Sequence, residues 1–143
     1  MPGHLDKFYF YYSGNDDSQR SIGVAISESP TGPFVDFGKP IINKRPDGVS
    51  RGQQIDVDVF TDTDGQSYLY WGNGYMAGAK LNDDMLSINQ LSIVVLTPQG
   101  GSLNDYAYRE GTYVFKRNNI YYFLWRILAH QITMWLIVLV RHL

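Results

Sequence analysis

The chain has 143 residues, a formal net charge of −2 at pH 7, 44% apolar residues and no cysteine. This length suits one domain with its own core, and the composition is that of a globular protein. Because there is no run of lysine or arginine, nucleic acid is not an expected partner, and without cysteine neither disulfides nor thiolate metal sites can form. Residues 1–6 show no basic segment followed by an apolar one, so no signal peptide is predicted and the localisation stays unknown.

The predicted elements up to residue 125 are strands and turns. Residues 7–13 and 21–27 are rich in aromatic and β-branched side chains and are predicted strands, separated by the turn-forming sequence SGNDDSQR. A loop is predicted for ESPTGPF because of its prolines and glycine. Two-residue hairpin turns are expected at Asp64-Gly65 and Asn118-Asn119, which accept positive φ. The remaining predicted strands cover residues 55–61, 67–72, 75–81, 91–97, 113–117 and 120–125.

A repeat connects three of these strands. KFYFYYS, QSYLYWG and IYYFLWR begin at residues 7, 66 and 120 and align without gaps, at spacings of 59 and 54 residues. Several strands within a period of about 40 to 55 residues are typical of a β-propeller blade. The strands are aromatic on both faces, as expected for a blade that packs between two neighbours. The sequence therefore predicts an all-β fold of propeller blades; a β-sandwich is the alternative, which the spaced repeat disfavours.

Carboxylates stand at the heads of two predicted strands. Asp56 and Asp58 begin the strand at 55–61, where alternation places them on one face with Phe60. Glu110 stands ahead of the strand at 113–117, 54 residues after Asp56. The first strand of a propeller blade is innermost, so both heads are expected to project into one cavity. Glycosidic bond cleavage typically uses two carboxyl groups, one to protonate the leaving oxygen and one to activate water or attack. The alternative is that both aspartates are solvated strand ends.

A resemblance to a known family covers residues 7–125. The segments SIGVAISESPTGPF, IDVDVFTDTDGQSYLYWGN and EGTYVFKRNNIYYFLW resemble consecutive blades of glycoside hydrolase family 43, the five-bladed β-propeller β-xylosidases and α-L-arabinofuranosidases. The resemblance implies part of one blade, all of the next and half of a third, from an inverting hydrolase of xylan, arabinoxylan or arabinan. It implies Glu110 as the general acid and Asp56 as the residue that orients this acid and modulates its pKa. A nearby carboxylate raises the pKa of a glutamic acid and helps to keep it protonated.

The general base implied by the resemblance has no match in this chain. Asp6, Asp16 and Asp17 lie in terminal or turn sequence, and Asp58 is interpreted as structural or rim-exposed. General acids and bases each contribute about 10² to 10⁴ in rate, so the chain alone is expected to hydrolyse glycosides at or near background. A non-catalytic carbohydrate-binding or interaction module built on the same blades is the alternative function.

Neither a metal site nor a cofactor is predicted, although some members of the resembled family hold a central calcium. The run DTDG is not a calcium-binding loop, because its first and twelfth positions would be Phe60 and Trp71, which cannot be ligands. The histidines form no cluster with ligand spacing: His4, His130 and His142. Three aromatic residues are candidates for stacking on a sugar, although packing between blades is their more ordinary role: Trp71, Tyr75 and Trp125.

The last 18 residues, RILAHQITMWLIVLVRHL, depart from the blade pattern. Their uninterrupted apolar run at 134–140 is far shorter than the roughly 20 residues of a membrane helix, so no membrane span is predicted. Residues 1–125 are therefore assigned to a partial propeller and residues 126–143 to an aberrant apolar tail. A translated frameshift is the hypothesis for this tail, because codons can be chosen so that another frame reads EDSGSPDYNVAY, which resembles the family's continuation. A partial set of blades leaves open edges, through which self-association is expected.

Overall fold

The computed structural model describes residues 7–17, 19–97, 108–129 and 132–140. These residues form three antiparallel sheets, which we call blades I, II and III. Blade I contains β1 (Phe8–Asp16), β2 (Gln19–Ser27) and β3 (Val35–Asp36). Blade II contains β4 (Asp58–Thr61), β5 (Ser67–Trp71), β6 (Ala77–Lys80) and β7 (Val94–Val95). Blade III contains β8 (Glu110–Arg117), β9 (Ile120–Ala129) and β10 (Ile132–Val140).

The strand order confirms the repeat that the sequence predicts. Blade II is a meander of four strands in the order β4-β5-β6-β7, and β8-β9-β10 repeats its first three. The three aligned segments are β1, β5 and β9, so β1 matches the second strand of a blade and blade I supplies the last three strands. The all-β prediction is confirmed. The third blade extends further than the predicted half, because β10 pairs with β9 along nine residues.

Two apolar cores lie between successive blades, which explains why the strands are aromatic on both faces. The core between blades I and II includes Ile22, Leu69 and Trp71. The core between blades II and III includes Tyr70 and Phe123, whose rings meet edge to face at 5.4 Å. Burying each large apolar side chain contributes roughly 1.5 to 3 kcal/mol, so the blades are held together mainly by these two cores.

Several predicted strand boundaries are wrong. Asp16 pairs with Gln19, so most of SGNDDSQR is strand and the chain reverses over two residues. The predicted strand at 91–97 is instead a 3-10 helix (Gln90–Ser92) followed by the two-residue β7. The Asn89 side chain accepts a hydrogen bond from the Leu91 N–H, and this cap competes with strand pairing.

One of the two predicted hairpin turns is confirmed. Asn118 and Asn119 have φ values of 51° and 59°, and the flanking Arg117 and Ile120 pair directly. The turn around Asp64-Gly65 is longer than predicted, because Thr61 pairs with Ser67 and leaves a five-residue loop. Gly65 still adopts positive φ there, at 86°.

The backbone continues as blade beyond residue 125. β9 runs to Ala129, and β10 pairs with it from Ile132 to Val140, so the strand does not end where the tail was expected to begin. The assignment of 126–143 to a separate tail and its frameshift origin stay predictions. In the described residues there is no helix whose length and apolar content would let it cross a membrane.

Candidate active site

Asp56 and Glu110 lie at the same rim of the molecule, where β4 and β8 begin and β5 and β9 end. Antiparallel pairing places Glu110 opposite Arg126 at this rim. The end of β5 is attached to the same rim, since the Gly72 N–H donates to the Ile55 carbonyl at 2.9 Å and the Gly74 N–H to the Arg109 carbonyl at 2.8 Å. Residues from blades II and III therefore converge here.

Asp56 lies before β4 rather than in it, so the expected strand alternation with Asp58 and Phe60 does not reach it. Its φ is +57°, a left-handed conformation that costs a non-glycine residue roughly 1 to 3 kcal/mol. Two contacts from other blades hold it there. The Asp56 N–H donates to Ser13 Oγ of β1 at 3.0 Å, and the Gly111 N–H of β8 lies near enough to the Asp56 carboxyl to lower its pKa.

Glu110 is aimed by a bulge at the start of β8. The register of the β8–β9 pair shifts between Glu110 and Tyr113, and Gly111 supplies a φ of +72°. Bulges of this kind bend a strand and redirect a side chain. The buried Tyr108 hydroxyl fixes the bulge, because it donates to the Gly72 carbonyl at 2.8 Å and lies 2.9 Å from Thr112 Oγ1.

Both oxygens of the Glu110 carboxylate accept hydrogen bonds. Asn73 Nδ2, just after β5, donates to Oε2 at 2.5 Å, and Arg126 Nη1 of β9 donates to Oε1 at 3.0 Å. Sequence reasoning missed both donors, as well as Ser13 and Tyr108. Arg126 was assigned to the tail, although counting back from the Asn118-Asn119 turn brings it close to Glu110 across the hairpin.

The two acids interact electrostatically. Burial raises the pKa of Asp56, and the neighbouring Glu110 charge raises it further. The Gly111 N–H and the Arg126 guanidinium act in the opposite direction. The raised pKa of Asp56 thus has two causes, its burial and its closeness to the carboxylate of Glu110.

Asp58 makes a structural contact, which agrees with its interpretation as a structural residue. Its carboxylate accepts from the Val114 N–H at 2.8 Å and so ties β4 to β8, while burial raises the pKa of Asp58. Of the other acids considered as a base, Asp17 is exposed in the β1–β2 turn with a φ of +39°. Asp6 and the Asp16 side chain lie outside the described residues.

The three aromatic candidates for sugar stacking are placed in the cores between blades. Their exposed fractions are 1% for Trp71, 3% for Tyr75 and 8% for Trp125. Such burial leaves little ring surface for a sugar and favours packing between blades as their role; stacking stays a prediction. Burial also raises the pKa of Tyr75 to about 12.

In the part of the chain that the structure describes, no group of three or more histidine, aspartate or glutamate side chains could hold a metal ion. The three histidines, His4, His130 and His142, lie outside it. A cavity of about 520 Å³ lies beside residues 41–47 and is also lined by Trp71 and Ile93, but neither Asp56 nor Glu110 contributes to its wall.

Comparisons with known proteins agree on one family. A model of glycosyl hydrolases family 43 matches residues 2–133. A β-D-galactofuranosidase of Aspergillus niger is 30% identical over 122 residues, which are 84% of this chain and 33% of that protein. An arabinoxylan arabinofuranohydrolase of Bacillus subtilis is 41% identical over 71 residues, 48% of this chain and 13% of the relative.

Solved structures share the fold. An α-L-arabinofuranosidase from Clostridium thermocellum superposes with a TM-score of 0.78 at 30% identity, over 96% of this chain and 45% of that one. The chain thus spans less than half the length of each of these three relatives.

Proposed function

Because the chain belongs to glycosyl hydrolase family 43 and covers part of its five-bladed propeller, we propose that it supplies the acid side of a glycosidase active site. The single observation that carries this proposal is the meeting of Asp56 and Glu110 from successive blades at one rim. Gly111, whose N–H lowers the pKa of Asp56, directly follows Glu110, so the backbone segment that carries one acid lies beside the other.

In the proposed reaction Glu110 is the general acid and Asp56 its orienting neighbour. Water attacks the anomeric carbon, the bond to the leaving oxygen breaks, and the Glu110 proton moves to that oxygen. A base must accept the proton of the water from the opposite side of the sugar, and inversion requires about 6.5 to 9.5 Å between the two carboxyl groups. No described residue is assigned to this base.

The proposed substrates are polysaccharides containing xylose or arabinose. This class rests on the relatives, which include the arabinoxylan arabinofuranohydrolase and a β-xylosidase of Xylanibacter ruminicola. The Aspergillus relative is named for galactofuranose, so the family resemblance alone does not select one sugar. The choice between xylose and arabinose needs a direct assay on both glycosides.

The test is hydrolysis of nitrophenyl xyloside and nitrophenyl arabinofuranoside by the 143-residue chain, with and without azide. We expect rates at or near background without azide, because none of the described residues is assigned to the base. Azide can take the position of the attacking water, so it should raise the rate and yield a glycosyl azide of inverted configuration. Robust hydrolysis without azide would contradict this account and would point to Asp58 or Asp16 as the base.

A non-catalytic carbohydrate-binding module is the second candidate. One observation favours it: Asn73 and Arg126 already occupy both oxygens of Glu110, as in an ionised carboxylate held for binding. To act as an acid, Glu110 must take up a proton and release Arg126. Calorimetric binding of xylo-oligosaccharides with no turnover, even in azide, would support the module over the enzyme.

We also propose that the open edges of the partial propeller promote self-association. β1 and β10 each pair on one side only in the described sheets. Unpaired edges present free N–H and C=O groups to other chains. A clean monomer by light scattering at micromolar concentration would count against this proposal.

A further inference from the structure

We propose that Arg126 controls the acid of the proposed active site, because it competes with the sugar for one oxygen of the Glu110 carboxylate. The inference rests on the proposed function and deepens it by adding a positioning residue at the same rim. It gives the two contacts of Glu110 different roles. The contact from Asn73 persists, whereas the contact from Arg126 is released when a sugar binds.

The Asn73 contact comes from a firmly held part of the rim. The backbone of Asn73 pairs with Gln53 in both directions, at 2.9 and 3.0 Å. There is no space beside this pairing, since a Cβ atom on Gly52 would collide with the Asn73 carbonyl oxygen. The Asn73 amide is thus fixed 2.5 Å from Glu110 Oε2, and we expect it to stay there when the other oxygen changes its partner.

The Arg126 contact lies on the exposed side of the same carboxylate. The Arg126 side chain is 45% exposed, against 24% for Glu110, and its Nη1 donates to Oε1 at 3.0 Å. An exposed ion pair is only weakly stabilising, because water screens the charges and a long side chain loses freedom in it. Arg126 can therefore leave Oε1 easily while Asn73 remains on Oε2.

Proton donation needs the oxygen that Arg126 contacts. Because Asn73 donates to Oε2, the acid proton is best placed on Oε1, from which it can reach a leaving oxygen about 2.6 to 3.2 Å away. Arg126 Nη1 already lies 3.0 Å from Oε1, and a guanidinium has donors but no acceptor for that proton. The sugar and Arg126 therefore compete for the same side of Glu110.

The charges around Glu110 couple this exchange to proton uptake. The titratable or charged groups that face it in the described residues come from three segments: Arg126 from β9, Asp56 ahead of β4 and the Tyr108 hydroxyl ahead of β8. Tyr108 stays neutral, because burial raises its pKa far above neutral pH. The Arg126 guanidinium lowers the pKa of Asp56, so its departure lets the pair of acids take up a proton from solvent.

The test measures binding of xylotriose to the 143-residue chain by calorimetry. Arg126→Gln removes the charge, Arg126→Lys keeps it, and Arg117→Gln at the turn end of the same hairpin is the matched control. We expect Arg126→Gln to bind about two- to fivefold more tightly, the fold change that corresponds to an exposed ion pair, and the other two variants to bind like the unmodified chain. Added salt screens the ion pair, so it should strengthen binding of this neutral sugar to the unmodified chain but not to Arg126→Gln.

Proton uptake on binding is the second readout, which a purely structural role of Arg126 would not produce. Calorimetry in two buffers of different ionisation enthalpy should show uptake by the unmodified chain and less uptake by Arg126→Gln. Equal or weaker binding to Arg126→Gln, or no uptake by the unmodified chain, would overturn the role of Arg126. The azide-dependent hydrolysis tests the proposed function separately: its absence, with tighter binding to Arg126→Gln, would refute the reaction and support the competition. Absence of xylotriose binding to every variant would overturn both.

Discussion

An aspartate lies at each end of the interface between β4 and β8, but the electrostatic surroundings of the two aspartates are opposite. At the head, Asp56 lies beside a second acid, Glu110, and burial and that charge raise the pKa of Asp56. At the far end, Asp62 lies 2.7 Å from Lys116 Nζ and also accepts from the Tyr121 hydroxyl. The hydrogen bond from Lys116 holds the pKa of Asp62 well below its ordinary value of 3.8.

This contrast separates chemistry from stability at the two ends of β4. Asp62 and Lys116 form a pair that favours the folded state, and Lys116 also lies 4.8 Å from the centre of the Tyr121 ring. Asp56 and Glu110 repel each other, and Asp56 adopts a strained backbone conformation. Unfavourable arrangements that persist in a folded protein are typical of functional sites. Substitutions should therefore act on the reaction rate at the end that holds Glu110 and on stability at the end that holds Asp62.

The largest expected effect is that of Glu110→Gln on the azide-dependent rate. With arabinoxylan oligosaccharides, whose leaving oxygen needs a proton, the rate should fall by about 10² to 10⁴, the range for loss of a general acid. Asp62→Asn, at the far end, is the matched control and should leave this rate unchanged. An equal fall in both variants, with folding intact by circular dichroism, would remove the functional distinction between the two ends.

Asn73→Ala should have a smaller effect on the same rate. A hydrogen bond to a charged group contributes about 1.5 kcal/mol, so loss of the Asn73 contact that orients Glu110 should lower kcat about tenfold. KM should stay constant, because Asn73 is proposed to position the acid rather than to bind the sugar. Asn82→Ala removes a comparable amide contact, to Ser87 Oγ, far from the rim and serves as the control. A rise in KM with unchanged kcat would show that Asn73 binds substrate instead.

Asp62→Asn should lower the melting temperature by a few degrees at pH 7. Because the pKa of Asp62 is lowered in the folded state, its stabilisation is present above pH 3.8 and is lost as the pH falls through the lowered value. The difference between variant and unmodified chain should accordingly shrink in acid. Thermal melts at a series of pH values check this, and a difference that grows below pH 3.8 would exclude the ion pair as its cause.

Asp56→Asn should have the smallest effect on stability, and of the opposite sign. The pKa of Asp56 is raised in the folded state, so its contribution to stability is full below pH 3.8 and is lost as the pH rises through the raised value. Asparagine carries no charge and tolerates left-handed φ about as well as aspartate, so the variant should melt slightly higher at pH 7 and equally in acid. Asp47→Asn, at an exposed loop position, is the control. A lower melting temperature at pH 7 would contradict the charge repulsion.

Local patterns predicted the repeated strands, because aromatic runs and the Asn118-Asn119 turn act over a few neighbouring residues. They also placed Glu110 at the head of its strand. The conformation of Asp56 could not be predicted, since it depends on Ser13, 43 residues away, and on Gly111 of another blade. The alternating side-chain pattern predicts a strand that begins at residue 55, whereas β4 begins at Asp58.

The Arg126 contact was missed for a similar reason. Counting back from the Asn118-Asn119 turn brings Arg126 to within one residue of the position opposite Glu110, and the bulge at Gly111 supplies the remaining shift. The predicted tail begins at Arg126 because the sequence from there on has neither the blade pattern nor turn signals and no counterpart in the resembled family. The coding DNA still tests the frameshift hypothesis, because a shifted frame must continue the family pattern if the hypothesis holds.

The most direct test of the central claim is the titration of the Asp56 carboxyl carbon by NMR, in the unmodified chain and in Glu110→Gln. If the two acids share one site, the pKa of Asp56 lies above 3.8 and falls when the Glu110 charge is removed. It should remain somewhat raised, because burial is the larger cause. The Asp62→Asn substitution should leave the pKa of Asp56 unchanged. A pKa of Asp56 that does not change in Glu110→Gln would contradict the shared site.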